Sequence, residues 1–209
     1  MGLPVEVPGL NTIIPEFEEG RLIVVESGAD PAKSFFVRQI ALTAHREGWP
    51  VNFVTSRDRR ELEIQLTREA GSRPWNESEM SIAEQDSIRE LESRGAMGGL
   101  LAVDSFSFLT LDSAGPAVAR LLRNLRAIAR EQRTTVVLAT DRGMFDPRTE
   151  AIVAHLADGV LEFHAKEAPE GLLRFLRVPK WPDGRLMDRN IHYEFDGKRI
   201  AVDLRRRVL

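Results

Sequence analysis

The feature that most constrains this chain is an alternation. Short apolar runs rich in Val, Ile and Leu are separated by stretches whose apolar residues recur at helical spacing. The runs are Leu22-Ile23-Val24-Val25, Val51-Asn52-Phe53-Val54, Leu100-Leu101-Ala102-Val103 and Thr135-Val136-Val137-Leu138. Each is nearly continuous in apolar residues, as strands buried on both faces of a parallel sheet are. Between them Phe36, Val37, Ile40, Ala41 and Ala44 repeat at helical spacing, and Gly48 is placed to end that helix. A second stripe runs through Val118, Leu121, Leu122, Leu125 and Ile128, and a third helix is predicted from Asp58 to about Glu69. Ser81-x-x-Glu84 has capping-box spacing and predicts a further helix start. Alternation of this kind over about residues 20 to 140 predicts an α/β fold built on a central parallel sheet.

Beyond residue 158 the pattern changes. Gly159-Val160-Leu161-Glu162-Phe163, Leu172-Leu173-Arg174-Phe175-Leu176, Ile191-His192-Tyr193-Glu194-Phe195 and Ile200-Ala201-Val202 read as strands. Glu170-Gly171, Asp183-Gly184 and Asp196-Gly197 are turn signals between them. They predict a β-meander over about residues 158–203, appended to the parallel sheet within one domain spanning residues 1–209. A chain of 209 residues can bury a full core without staples.

Composition removes several chemistries. Without Cys there is no disulfide framework, thiolate metal site or Cys nucleophile. His45, His155, His164 and His192 show no metal-ligand spacing. Ser105 and Ser107 have no apparent His-Asp partnership, so no hydrolase triad is expected. The formal net charge of −3 lacks the basic excess of a dedicated nucleic-acid binder. The longest apolar runs, about five residues, fall far short of the roughly 20 that a membrane helix needs. The N-terminus has no basic region followed by an apolar stretch, so a cytoplasmic protein without membrane insertion is expected.

The most informative segment is Val25-Glu26-Ser27-Gly28-Ala29-Asp30-Pro31-Ala32-Lys33-Ser34, which follows the first strand and opens the first helix. That is the setting of a P-loop, G-x-x-x-x-G-K-[ST], whose backbone N–H groups cradle phosphate at a helix N-terminus. Aligned on Lys33-Ser34, the glycine positions hold Ser27 and Ala32, with Gly28 one place further on. Pro31 has no N–H to give. Asp30 puts a carboxylate where a polyphosphate would sit, and Ala32 lacks the conformational freedom of glycine. Gly28, Ala32, Lys33 and Ser34 are therefore the candidate nucleotide-binding residues, set in a degraded cradle.

Leu100-Leu101-Ala102-Val103-Asp104 resembles a Walker B strand, in which apolar residues run into an Asp able to hold Mg²⁺ through water. Asp104-Ser105-Phe106-Ser107 follows the Asp-Ser-x-Ser pattern of one group. Pro8-Gly9-Leu10-Asn11-Thr12-Ile13-Ile14, Glu19-Gly20-Arg21-Leu22, Gly48-Trp49-Pro50-Val51 and Leu156-Ala157-Asp158-Gly159-Val160 match the same group in order. The stretch from Leu172 to Lys180 matches it too. Over about residues 8 to 203 the chain resembles the RecA superfamily, and within it the KaiC-like ATPases and their RadA-like relatives. It is also similar to the archaellum H protein. The resemblance implies a RecA-like P-loop fold and ATP or ADP with Mg²⁺ as cofactor. Lys33 would meet the β- and γ-phosphates, and Ser34 and Asp104 would hold the metal.

The same resemblance marks departures. The family carries paired glutamates after the second strand that polarise the attacking water. Arg57 and Asp58 stand there in this chain, so Asp58 is the remaining candidate base. The family's Lys-x-Arg element reaches a neighbouring subunit's γ-phosphate. Here Lys180 is kept, Pro182 takes the arginine position and Arg185 lies beyond it. Thr140-Asp141-Arg142 ends the fourth strand, where related ATPases place a γ-phosphate sensor, and Asp141 is an unusual residue to face an anion. Loss of one transition-state group costs about 10²- to 10³-fold in rate. Joint change of loop, base and finger implies a degenerate ATPase with weak or no nucleotide binding and little hydrolysis. Its role would be regulatory or in assembly, with a protein partner or as a homo-oligomer. Two alternatives are an active Mg²⁺-dependent ATPase with Asp58 as base, and a DNA recombination or repair accessory. Arg120, Arg123, Arg126, Arg130 and Arg133 lie opposite the leucine stripe of their helix, as a solvated face or a docking surface for an acidic partner or DNA.

Overall fold

Continuous apolar strands need cover on both faces, and the helical stripes supply it. The computed structural model describes residues 2–70, 75, 80–84, 88–169, 171–184 and 187–207. Arg185 and Glu170 lie outside them. In chain order the parallel strands and their helices are β3 (Leu22–Ser27), α1 (Ala32–Arg46), β4 (Val51–Thr55), α2 (Arg59–Glu69), β5 (Met80–Glu84), α3 (Ile88–Gly95) and β6 (Leu100–Asp104). They continue with α4 (Phe106–Leu109), α5 (Gly115–Gln132), β7 (Thr135–Asp141), α6 (Pro147–Leu156) and β8 (Gly159–Ala168). Before them, β1 (Leu3–Pro4) and β2 (Glu16–Phe17) form a small antiparallel pair. After them come β9 (Gly171–Lys180), β10 (Met187–Phe195) and β11 (Ile200–Arg207).

One nine-stranded sheet has the order β11-β10-β9-β8-β3-β7-β6-β4-β5. The strands from β5 to β8 pair in parallel, and β8 to β11 pair antiparallel. The fold is thus α/β, with a mainly parallel sheet flanked by helices and an antiparallel C-terminal extension. The chain leaves β3, passes two strand positions to form β4, and returns to fill them with β6 and β7. The carboxyl ends of β3, β6 and β7 therefore face a common crevice, where ligands of such sheets bind.

Alternate residues of each strand feed two cores. Ile23, Val25, Phe53 and Ala102 pack with α1, α2 and the N-terminal segment. Leu22, Val24, Leu101, Val103 and Leu138 pack with α3, α5 and α6. Helix α1 ends at Arg46, and Gly48 just past its cap has a φ of +76°, open to glycine at little cost. Gly159 serves close approach instead, since a Cβ there would lie 2.8 Å from Ile23 Cδ1 and 3.1 Å from the Trp181 ring.

The region from Ser81 corrects the expectation of a helix start. Met80–Glu84 is strand β5, paired in register with β4 from Val51↔Met80 to Thr55↔Glu84. Met80 and Ile82 are buried while Ser81 is exposed, a period of two that the capping-box spacing overlay. A free sheet edge offered by β4 outweighs a local cap signal. The arginine stripe of α5 is also partly consumed within the chain. Arg126 donates to Asp158 from Nε and Nη2 at 3.1 and 2.7 Å, Arg130 reaches the same oxygen at 3.4 Å, and Arg133 pairs with Glu19. The other oxygen of Asp158 accepts the Leu22 N–H at 3.1 Å, so one buried carboxylate ties α5 to the start of β3. Arg120 and Arg123 stay exposed. Among the described residues, no helix is long and apolar enough to cross a membrane.

Phe36 sits at the centre of an aromatic cluster, 6.4 Å from Phe17 and 5.3 Å from Phe163 between ring centroids. It is fully buried, and its removal leaves a cavity as well as lost transfer energy. Phe36→Ala is expected to lower unfolding free energy by about 3–5 kcal/mol in urea titration. A loss under about 1 kcal/mol would show that this cluster is not close-packed.

Candidate functional site

The site is built where β3, β6 and β7 end and α1 begins. The loop from Gly28 to Pro31 is held by short-range bonds. The Asp30 N–H donates to Gly28 O at 2.8 Å, and the Ser27 hydroxyl donates to Gly28 O at 2.8 Å. Gly28 has no positive φ, and a Cβ there would meet nothing within 4 Å, so this backbone does not demand glycine. Asp30 Oδ1 accepts the Ala32 N–H at 2.8 Å, and Oδ2 accepts Arg174 Nε from β9 at 3.0 Å. Ala32 is fully buried at the first position of α1.

The Lys33 side chain is only 3% exposed. Its ammonium donates to Thr140 O at 3.1 Å and forms a close ion pair with the Asp141 carboxylate. The second Asp141 oxygen accepts the hydroxyls of Ser105, closely, and Ser107 at 3.1 Å. The Asp141 N–H donates in turn to Ser107 Oγ at 2.9 Å. Burial by itself would raise the Asp141 carboxyl. The hydrogen bonds from Lys33 and Ser105, with the Lys33 charge and Ser107, outweigh it and hold the group below the ordinary aspartate value.

Next to Lys33, the Ser34 hydroxyl donates to Asp104 Oδ1 at 3.1 Å. Asp104 is buried at the end of β6, and Ser56 spans to the same strand end. The Ser56 N–H donates to Asp104 O at 3.0 Å, and Ser56 Oγ accepts the Ser105 N–H at 3.2 Å. These side chains line an open cleft of about 390 Å³, together with Arg57, Phe108 and Met144. Its cations, Lys33 and Arg57, are matched by the carboxylates Asp104 and Asp141, so its formal charges cancel.

Lys33, Ser34 and Asp104 thus meet in one cleft, with Gly28 and Ala32 in the adjoining loop. Asp58 and Lys180 are elsewhere. Asp58 is exposed and caps α2, accepting the Glu61 N–H at 2.9 Å. Lys180 lies toward the amino-terminal edge of the parallel strands, where its ammonium donates to Ala154 O at 3.3 Å and His155 O at 2.8 Å at the end of α6. Burial, and then the nearby Arg126 charge, pull its pKa below the ordinary lysine value, against the opposing Asp158 carboxylate. Sequence reading did not find Arg174, Ser56 or the role of Asp141. Arg174 and Asp30 are 144 positions apart, and no local pattern joins them.

A Ser hydroxyl beside a buried Asp suits a hard cation such as Mg²⁺, which takes one or two protein oxygens and completes its shell with phosphate and water. Among the described residues, no group of three or more His, Cys, Asp or Glu is arranged to hold a metal by itself. The phosphate seat fits a polyphosphate poorly, because Asp30 and Asp141 occupy the donors that would bind it.

Solved structures share this architecture. A KaiC-like protein of Pyrococcus horikoshii matches 97% of this chain and 99% of its own, with a TM-score of 0.79 and 20% sequence identity. The chain has the fold of this KaiC-like protein. Flagellar accessory protein FlaH of Methanocaldococcus jannaschii matches 97% of this chain and 98% of its own, at a TM-score of 0.78 and 15% identity. No family profile and no curated protein sequence matches the chain.

The Asp141 shift carries a pH sign. Its folded pKa is lowered, so the stabilisation is fully present above the unfolded value of about 3.9 and is lost as pH falls through the folded value. Asp141→Asn is expected to cost about 1–3 kcal/mol at pH 7, since it leaves Lys33 buried without its counter-charge. It should also flatten the loss of melting temperature below about pH 4. An unchanged melting temperature across this range would show that the pair contributes nothing.

Proposed function

We propose that this chain is a degenerate KaiC-like RecA-fold protein that binds ATP or ADP weakly or not at all, hydrolyses little, and works as a regulatory or assembly subunit. One observation carries the reading: the ammonium of Lys33 is committed to Asp141 and Thr140 O. A phosphate bound by Lys33 must first strip it from a carboxylate. It must then sit beside that carboxylate as a like charge, and each 1.4 kcal/mol of such cost is about tenfold in affinity.

The hydrolytic side is weakened in the same sense. Asp58 spends an oxygen on capping α2, and Lys180 is far round the sheet, capping α6. Arg57 stands in the cleft lining after β4, and the carboxylates of that lining, Asp104 and Asp141, are bonded to Ser34 and Lys33. A protein-binding role is supported by Phe108, which lines the cleft and is 56% exposed, and by Leu111, three residues on and 54% exposed. FlaH, described as a flagellar accessory protein, shares the fold and is a precedent for such a role. The intact Ser34–Asp104 pair is the one observation favouring a working Mg²⁺-dependent ATPase.

Calorimetric titration with ATP and ADP, with and without Mg²⁺, separates these readings. Dissociation constants of about 1 mM or weaker are expected. Phosphate release should equal that of Lys33→Ala. Micromolar binding, or turnover that disappears in Lys33→Ala, would establish the ATPase reading instead.

A further inference from the structure

The phosphate loop carries an anion of its own. Asp30 is the last residue but one before α1, and its side chain is 3% exposed. One oxygen takes the first amide of the helix, Ala32 N–H at 2.8 Å, and the other takes Arg174 Nε at 3.0 Å. A third group faces the same carboxylate. The hydroxyl of Tyr193, from β10, is buried and short of hydrogen-bond geometry with any partner. Burial and then the neighbouring Asp30 charge push its phenol pKa up.

A helix-terminal amide, an arginine and a phenol form a donor set that suits a phosphate oxygen. Two of the three come from the antiparallel extension, which has no part in the P-loop motif. The arrangement therefore reaches beyond the turn that Asp30 makes in its own loop. We infer that Asp30 is a built-in phosphate surrogate, and that its removal opens a seat for phosphate or pyrophosphate oxyanions. That seat is lined by the Ala32 amide, Arg174 and the Tyr193 hydroxyl, one residue before Lys33. This rests on the weak-nucleotide reading above and goes further, naming the group that fills the seat and the ligand class it excludes.

Pyrophosphate titrated calorimetrically into wild type, Asp30→Gly, Asp30→Ser and Asp30→Glu tests it. Ser is shorter and neutral, so it removes the charge and frees Arg174 and the Tyr193 hydroxyl, and Gly frees the Ala32 amide as well. Asp30→Ser and Asp30→Gly are expected to bind pyrophosphate at least about tenfold more tightly than wild type, the effect of lifting one like charge. Asp30→Glu should stay at the wild-type level. Adding Arg174→Ala to Asp30→Ser should reverse the gain. A folded Asp30→Ser chain with no more affinity than wild type would overturn the inference. Failure of Asp30→Ser to fold would overturn it too, because the carboxylate would then be a structural necessity and not a plug. Tight, Lys33-dependent binding to wild type would instead sink the weak-nucleotide reading, a separate outcome.

Discussion

The interaction on which the site depends is the ion pair between Lys33 and Asp141. A lysine ammonium held at 3% exposure is costly to leave without a counter-charge. The chain meets that demand from the end of β7. Asp141 is fixed in turn by Ser105 and Ser107, which follow β6, and the neighbouring Ser34 is fixed by Asp104 at the end of that same strand. Two consecutive residues of α1 are thereby bonded to two adjacent strand ends. The Lys33 and Ser34 side chains, and with them one wall of the cleft, are fixed by this ring of contacts.

The same ring explains the electrostatic character of the crevice. Helix termini and buried lysines attract anions because their positive ends are otherwise unmatched. In this chain Asp30 matches the helix end and Asp141 matches the lysine, so little positive potential is left over for a ligand. Arg57 is the remaining cation of the cleft lining, and Asp104 balances it. The sheet that gives the fold shared with the KaiC-like and FlaH structures is held by its two apolar cores. The charges at its rim contribute little to that.

Much of the architecture could be read in the linear chain. Continuous runs such as Leu22 to Val25 are unambiguous because burial on both faces leaves no polar positions. The α1 and α5 stripes are long enough for their period to show. Met80–Glu84 is not legible as a strand because five residues with two buried side chains carry little periodicity, and a Ser and a Glu stand there at capping distance. The candidate site was legible in part. Lys33, Ser34 and Asp104 stand in motif spacing, whereas Arg174 and Ser56 stand in none.

The sequence by itself determined that the phosphate loop is short of glycine and amide donors, since Pro31 and Ala32 have these limits in any backbone. It also placed Asp30 in that loop and Asp141 at the end of the fourth strand, where an anion would be faced. Only the tertiary structure decided which charges meet. The pairs Lys33–Asp141 and Asp30–Arg174 join residues 108 and 144 positions apart. Strand order and register bring them together, and those are set by the packing of the whole sheet rather than by any local run of residues.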